Sequence, residues 1–219
     1  MPEIILNGAA GRTEALYAPA EDPKAPLALI LHPHPQQGGT MNNKIVFAMH
    51  KSFRARGFTT LRYNSRGVGR SQGVFDRGEG ELTDAAAILD WLNVNHPQAA
   101  YCWVGGFSFG GWLAMQLLMR RPEIRGFVVV APPAGTYDFT FLAPCPTSGL
   151  MVQGGCDEIV DHQAVQQLAK QLSHCDAVQV RYHLVPQANH FFSDHMGTLS
   201  KVIDDYLDEA ESDRLATAS

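Results

Sequence analysis

The chain has 219 residues, of which 45% are hydrophobic and 18% are charged, and its formal net charge is −5. This balance excludes an intrinsically disordered chain, and the length fits a single domain over residues 1–219. The negative charge and the absence of any lysine or arginine cluster argue against nucleic acid or a membrane surface as a partner.

Apolar runs that alternate with segments of helical period predict an α/β fold with about eight strands in a mostly parallel sheet. An edge hairpin is expected first, with strands at 4–6 and 14–18 around a glycine turn at 8–11. Apolar runs then predict strands at 27–32, 59–63, 101–105, 126–131, 149–154 and 178–185. Helical periodicity lies between them at 44–56, 81–95, 109–120, 162–173 and 199–210. Such alternation places helices on both faces of the sheet.

Two features indicate the cellular setting. No apolar run reaches the length of a membrane span and no secretory leader is recognisable, so we expect a cytoplasmic protein. The cysteines lack CxxC or zinc-finger spacing, and we expect them to be reduced structural thiols. They are Cys102, Cys145, Cys156 and Cys175.

A G-x-S-x-G pattern, Gly106 to Gly110, stands between a predicted strand and a predicted helix. In such a turn the flanking glycines leave room for neighbouring backbone, and the serine projects above the sheet at the amino terminus of the helix. We therefore predict Ser108 as a nucleophile. The alternative is a glycine-rich turn with a capping serine.

A nucleophilic serine needs a base, and the base needs an acid that orients it. Asp157 follows the predicted strand 149–154, at the edge where ligands bind in parallel sheets. We predict Asp157 as the acid, with Glu158 or Asp161 as alternatives. Asp161 also fits the cap of the next helix and Glu158 a solvated loop charge.

The base is expected in the loop after the last predicted strand. His190 lies there, and the order serine, acid, histidine matches the order associated with this turn. We predict His190 as the base. His195 is the alternative, but it stands farther from the strand end and fits the start of a helix.

Two backbone N–H groups are needed to bind the oxyanion. One should belong to Phe109, which follows the nucleophile. The other should come from the loop that begins at position 32, where Pro33 and Pro35 have no N–H, so we predict His34, with Gln36 as the alternative. His32 and His34 could instead chelate a metal, although no further ligand follows nearby.

The chain resembles the α/β-hydrolase superfamily, and within it the small lidless bacterial hydrolases related to carboxylesterases, dienelactone hydrolases and acyl-peptidases. The resemblance extends over about 27–207, through HPHPQQGGTMNNK, RYNSRGVGRSQG, GGFSFGG, APPAG, GGCDEIVD and QANHFF. It implies Ser108, Asp157 and His190 as the catalytic triad. Dienelactone hydrolases carry cysteine as the nucleophile, so the serine here disfavours their reaction.

The segment 132–148, where related enzymes insert a cap, is too short for a helical lid. We expect an open site with Tyr137 and Phe191 as apolar walls, and a small carboxylic ester as the substrate. No metal or other cofactor is needed. Tyr137 and Phe191 belong to a set of five aromatic residues of which at least two should serve the core; the others are Phe139, Phe141 and Phe192.

Three alternatives stay open. A peptidase or amidase can use the same triad, and a binding module that had lost activity would be expected to have a broken one. A thioesterase acting on an acyl carrier would need a basic patch, for which Arg54, Arg56, Arg66 and Arg70 would have to converge. Arg66 and Arg70 fit better as anchors of the loop 64–73 through carboxylates such as Asp76.

The edge of the last strand could pair with a second copy in a homodimer.

Overall fold

Eight strands form one sheet in the computed structural model, which describes residues 3–142, 144–173 and 178–217. Their order across the sheet is β1-β2-β4-β3-β5-β6-β7-β8. All neighbouring pairs are parallel except β1 with β2 and β2 with β4. The strands are β1 (Glu3–Gly8), β2 (Gly11–Ala18), β3 (Leu27–Leu31), β4 (Thr59–Tyr63), β5 (Cys102–Phe107), β6 (Ile124–Val130), β7 (Gly149–Gly154) and β8 (Val180–Val185).

Five α-helices connect or follow the parallel strands, and the predicted α/β class is confirmed. Asn43 caps the first helix by accepting a hydrogen bond from Ile45 N, and Asp161 caps the fourth by accepting one from Gln163 N. The helices are α1 (Lys44–Ala55), α2 (Glu79–Asn95), α3 (Phe109–Leu118), α4 (His162–Leu172) and α5 (Met196–Thr217).

The core consists of two apolar layers, one on each face of the sheet. Leu29 and Leu31 of β3 contribute to the layer under α2, α3 and α4, whereas Ala28 and Ile30 contribute to the layer under α1 and α5. Every residue of β3 is buried. A strand covered on both faces reads as a continuous apolar run, which explains why the sequence identifies it.

The amino-terminal hairpin pairs from Glu3 opposite Leu16 to Gly8 opposite Gly11. The predicted hairpin is therefore correct, but both strands reach farther toward the turn than the apolar residues indicated. Backbone hydrogen bonding continues through polar residues, and the pattern of apolar residues does not indicate these ends of the strands.

The last helix is longer than expected. Its predicted end was residue 210, whereas α5 extends to Thr217. Tyr101 donates a short hydrogen bond to Glu211, and the guanidinium of Arg214 lies 4.8 Å from the centre of the Tyr101 ring. These contacts hold a polar turn against the sheet, so the helix continues after its apolar period ends.

The described residues of the connection between β6 and β7 form no helical cap. Within its described residues, all except position 143, the regular structure is an isolated bridge and one 3₁₀ turn, Thr140–Leu142. The lidless architecture is confirmed, so the carboxyl edge of the sheet is not covered by an inserted domain.

Three further observations bear on the predictions. No helix in the described ranges combines the length and apolar character needed to cross a bilayer. Cys102 and Cys156 are free thiols, Cys145 is buried with its Sγ 3.3 Å from Thr147 O, and Cys175 lies outside the described residues. β8 is an outer strand of the sheet, as the predicted pairing with a second copy requires, and that pairing stays a prediction.

Candidate active site

Ser108 occupies a strained turn between β5 and α3. Its backbone has φ 52° and ψ −119°, a conformation that non-glycine residues rarely adopt. Ser108 N donates to Val130 O over 2.8 Å, and Ser108 O accepts from Gly111 N over the same distance. The side chain is partly exposed. The fold therefore holds this hydroxyl at the carboxyl edge of the sheet, where a ligand can reach it.

The glycines on either side of the serine are required by close backbone packing. A Cβ atom at Gly106 would lie 2.3 Å from Gly110 O, and one at Gly110 would lie 2.4 Å from His32 O. Both separations are far shorter than van der Waals contact allows. The spacing of the motif thus lets α3 begin directly against β5 and the end of β3.

Asp157 and His190 form a buried pair beyond the ends of β7 and β8. His190 Nδ1 donates to Asp157 Oδ2 over 2.8 Å, and the exposed fractions of the two side chains are 6% and 0%. Asp157 Oδ1 accepts from the N–H groups of Ile159 and Val160, each over 2.8 Å. Because Nδ1 is hydrogen-bonded to Asp157, Nε2 is the ring nitrogen left for a proton transfer.

Opposing effects act on the pKa of Asp157. Burial favours the neutral acid and acts to raise the pKa, but hydrogen bonds from His190, Val160 and Ile159, together with the charge of His190, hold it below the ordinary aspartate value. The carboxyl group is therefore ionised at neutral pH and can stabilise an imidazolium.

The histidine ring lies beside the serine turn. The ring centres of His190 and Phe107 are 5.0 Å apart, and Phe107 directly precedes Ser108. His195 lies elsewhere, at the start of α5, where its carbonyl accepts from Leu199 N over 2.9 Å. The structure thus brings His190, and not His195, to the predicted acid and beside the predicted nucleophile.

His34 and Phe109, the two residues expected to donate to an oxyanion, lie against each other. Their ring centres are 5.0 Å apart. Gln36 N donates to His34 Nδ1 over 3.2 Å, so the alternative donor is already engaged. Within residues 3–142, 144–173 and 178–217, no hydrogen bond uses the N–H of His34 or Phe109. Both groups are available to a ligand.

His32 serves the loop and not a metal. Its Nδ1 donates to Pro33 O over 2.6 Å and its Nε2 accepts from Ser65 N over 2.9 Å. Burial lowers the pKa of His32 to about 4, which keeps the ring neutral. With both nitrogens occupied, His32 cannot join His34 in chelating an ion, and that alternative is not supported.

The two predicted wall residues contact different residues of the candidate site. Tyr137 contacts Phe109, with ring centres 5.9 Å apart, whereas Phe191 contacts His190, with ring centres 5.1 Å apart. Phe191 is 54% exposed and Tyr137 is partly exposed. Of the other aromatic candidates, Phe139 and Phe192 are buried in the core.

The arginines of the loop 64–73 anchor it. Arg66 Nε lies 2.7 Å from Asp84 Oδ2, and Asp76 is a weaker partner at 3.8 Å. Arg70 Nε donates to Glu14 Oε1 over 3.0 Å. These carboxylates occupy the guanidinium groups, so neither arginine is set up to bind an anionic substrate.

One contact of the site was not anticipated from the sequence. Gln153 of β7 donates from Nε2 to Asp157 Oδ2 over 2.8 Å, the oxygen that also accepts from His190. The available signal was a lone polar residue in the buried run LMVQG.

Comparisons with known proteins identify the family of this chain. The family model described as X-Pro dipeptidyl-peptidase (S15 family) matches residues 13–213. An uncharacterised protein of Rickettsia prowazekii is 50% identical over 211 residues, which are 94% of this chain and 89% of that protein.

Two solved structures extend the comparison. A protein of unknown function from Agrobacterium tumefaciens, described as an α/β-hydrolase, is 52% identical with a TM-score of 0.94, covering 96% of this chain and 97% of that one. A serine hydrolase without a lid from Xanthomonas campestris is 30% identical with a TM-score of 0.82, covering 93% and 92%. The chain belongs to the S15 family of the α/β-hydrolase superfamily.

Proposed function

We propose that this chain is a serine hydrolase that cleaves small carboxylic esters with Ser108, His190 and Asp157 as its triad. The observation that carries the proposal is the buried hydrogen bond between His190 and Asp157, formed beside a serine held in a strained strand-to-helix turn. The three groups come from separate loops at the same edge of the sheet. That arrangement is the one that nucleophilic acyl transfer requires.

The reaction follows from these positions. His190 Nε2 takes the proton of Ser108 Oγ as the oxygen attacks the ester carbonyl, and Asp157 stabilises the imidazolium that forms. The N–H groups of Phe109 and His34 bind the negative oxygen of the tetrahedral intermediate. His190 then gives its proton to the leaving alkoxide, and the alcohol departs from an acyl-enzyme.

Deacylation uses the same groups. His190 removes a proton from water, the hydroxide attacks the acyl carbonyl, and a second tetrahedral intermediate forms in the same oxyanion site. Its collapse releases the carboxylic acid and returns the proton from His190 to Ser108 Oγ. No residue is altered over the cycle, and no cofactor takes part in any step.

The described part of the segment between β6 and β7 forms no helical cap, and this favours small esters. An uncovered site leaves a long acyl chain in water, where its apolar surface gains little from binding. Tyr137, beside Phe109, and Phe191, beside His190, provide limited apolar area. We therefore expect turnover to fall with chain length.

The experiment is hydrolysis of p-nitrophenyl acetate, octanoate and palmitate by the wild type and by Ser108→Ala. We expect the wild type to prefer acetate and the variant to lose about 10⁶-fold in kcat, with its melting temperature nearly unchanged. Activity retained in Ser108→Ala, together with a large fall in melting temperature, would reduce Ser108 to a turn residue.

A peptidase is the second candidate, and the description of the matched family favours it. The same triad cleaves an amide when the leaving amine is held for protonation. Dipeptide p-nitroanilides with proline in the second position, assayed beside the esters, separate the two functions. Hydrolysis of the anilides with no turnover of any ester would replace the ester proposal by the peptidase.

A thioesterase has less support because the four arginines do not form a free basic patch. Arg54 Nη1 donates to three backbone carbonyl groups, and Arg56 binds Asp204 and Asp208. Arg66 binds Asp84, and Arg70 binds Glu14. No cation of this set is left to attract the phosphates of a carrier.

A further inference from the structure

Gln153 stands out in β7 because it is a fully buried polar residue in an apolar strand. Its exposed fraction is 0%, and so are those of the preceding Leu150, Met151 and Val152. Burying an amide is unfavourable unless its polar atoms find partners. The partners of this side chain therefore indicate why it is placed there.

The amide nitrogen of Gln153 faces acceptors only. Nε2 lies 2.8 Å from Asp157 Oδ2 and 3.1 Å from Val160 O, with Gly154 O at 3.4 Å. A carboxylate and two carbonyl groups cannot donate, so these contacts fix the orientation of the amide. One of its two protons points to the carboxyl group that His190 uses.

The amide oxygen is left without a partner. Oε1 is buried and accepts no hydrogen bond from the described residues. An orphaned acceptor costs stability, and an apolar side chain of similar size would avoid that cost. Stability alone thus does not account for glutamine at this position, whereas its two donors do have a use.

We propose that Gln153 is a positioning residue for the triad, whose amide holds Asp157 Oδ2 in place for His190 and shares the negative charge of that oxygen. The inference rests on the proposed function and adds a fourth residue to it. Gln153 acts through Asp157 and does not touch the substrate.

The geometry divides the carboxyl group between two tasks. Asp157 Oδ1 is held by the N–H groups of Ile159 and Val160, so one oxygen fixes the loop. Oδ2 accepts from both His190 and Gln153. His190 is the titratable group that faces Asp157 within the described residues. Removing the amide would let the Asp157 carboxyl group move more freely. It would also leave more negative charge on Oδ2 beside the imidazole.

The first test is Gln153→Met, which keeps the length of the side chain but has no donor. We expect kcat for p-nitrophenyl acetate to fall about 10-fold with KM unchanged, because only the proton-transfer steps depend on the alignment of His190. The acid limb of the kcat/KM profile should move to higher pH by roughly half a unit, because the imidazolium gains a more negative neighbour.

The matched control is Gln116→Met in α3. Gln116 is a partly exposed glutamine whose Nε2 is buried and has no hydrogen-bond partner among the described residues. It lies two turns beyond Ser108, and no hydrogen bond among the described residues joins its side chain to a proposed catalytic group. Its kcat, KM and pH profile should equal those of the wild type, so any shared loss would measure the general effect of the substitution.

A second variant, Gln153→Glu, keeps the shape of the side chain. It provides an independent test if Gln153→Met does not fold. At low pH the introduced carboxyl group is neutral and can still donate to Asp157 Oδ2. As it ionises, two carboxylates face each other and repel. We expect a falling limb in kcat/KM at a pH where the wild type is still fully active.

The outcomes separate this inference from the proposed function. An inactive wild type would contradict the proposed function. An active wild type with an unshifted acid limb in Gln153→Met, or without a falling limb in folded Gln153→Glu, would overturn the role of Gln153 alone. A shifted limb and the new falling limb, both absent from Gln116→Met, would support it.

Discussion

Asp84 and Asp157 are both buried carboxylates, but they face different kinds of partner. Asp84 is 2% exposed and binds the guanidinium of Arg66 through both oxygens, over 2.7 and 3.0 Å. Asp157 is 0% exposed and binds an imidazole over 2.8 Å. Arginine keeps its charge at any physiological pH, whereas histidine gains and loses a proton near neutrality.

The difference shows what separates a structural pair from the pair that we propose as catalytic. The Asp84–Arg66 pair ties the loop 64–73 to α2 and has no proton to exchange. In the Asp157–His190 pair, Nε2 of the imidazole has no hydrogen bond to the described residues. The charge of the imidazole can therefore appear and disappear during the proposed reaction. Burial and hydrogen bonding are alike in the two places, so the chemistry of the partner decides the function.

The largest expected effect comes from the partner of Asp157. His190→Ala should lower kcat for the preferred ester by about 10⁶-fold, because it removes the proposed base for the proton of Ser108. His195→Ala, at the start of α5, is the matched control and should be nearly silent. Steady-state kinetics of both variants check this, and a severe loss in His195→Ala alone would reverse the assignment of the base.

The next effect is on the acid itself. Asp157→Asn should lower kcat by about 10⁴-fold, because the amide favours the wrong histidine tautomer. The comparison is with Asp84→Asn, which should retain most of the wild-type kcat where it is folded. Equal losses of activity in the two variants would remove the distinction between the pairs.

Stability should respond in the opposite order. Asp84→Asn should lower the free energy of unfolding by about 3 kcal/mol, because the neutral amide does not offset the charge of Arg66, whose other carboxylate neighbour, Asp76, is 3.8 Å away. Asp157→Asn should cost less, since the amide oxygen can still accept from Ile159 and Val160. Urea denaturation measures both values, and a larger loss in Asp157→Asn would contradict the account.

A smaller effect concerns pH. Burial acts to raise the pKa of Glu14, but hydrogen bonds from Arg70 N and Asn64, with further contacts to Glu3 and the Arg70 guanidinium, lower it to about 2. The ionised form thus stabilises the fold fully above the ordinary pKa and loses this effect as the pH falls toward 2. Glu14→Gln should flatten the fall in unfolding free energy between pH 5 and 2. An unchanged slope would contradict this.

The sequence predicts most of the scaffold because the parallel strands are buried on both faces. Runs such as that of β3 are recognisable from their apolar residues alone. The extension of α5 to Thr217 was not predictable in this way, since it depends on polar contacts with Tyr101 that come together only in the fold. Pairing distant polar groups requires the three-dimensional arrangement.

The candidate site likewise contains residues that the sequence predicts and contacts that only the fold reveals. Ser108, Asp157 and His190 can be proposed from their places after predicted strands, because the carboxyl ends of parallel strands meet at one edge. Gln153 was missed, since a single glutamine in a strand carries no spacing signal. The engagement of Gln36 by His34 Nδ1 was likewise not visible, because it depends on the local turn of the loop.

The most direct test of the account is covalent labelling of the wild type by a fluorophosphonate, followed by peptide mass spectrometry. The reagent reacts with a serine only where a base activates it and an oxyanion site receives the negative oxygen. We predict one adduct per chain, on Ser108, and none in Ser108→Ala or His190→Ala. An unlabelled wild type, or an adduct on another residue, would contradict the triad.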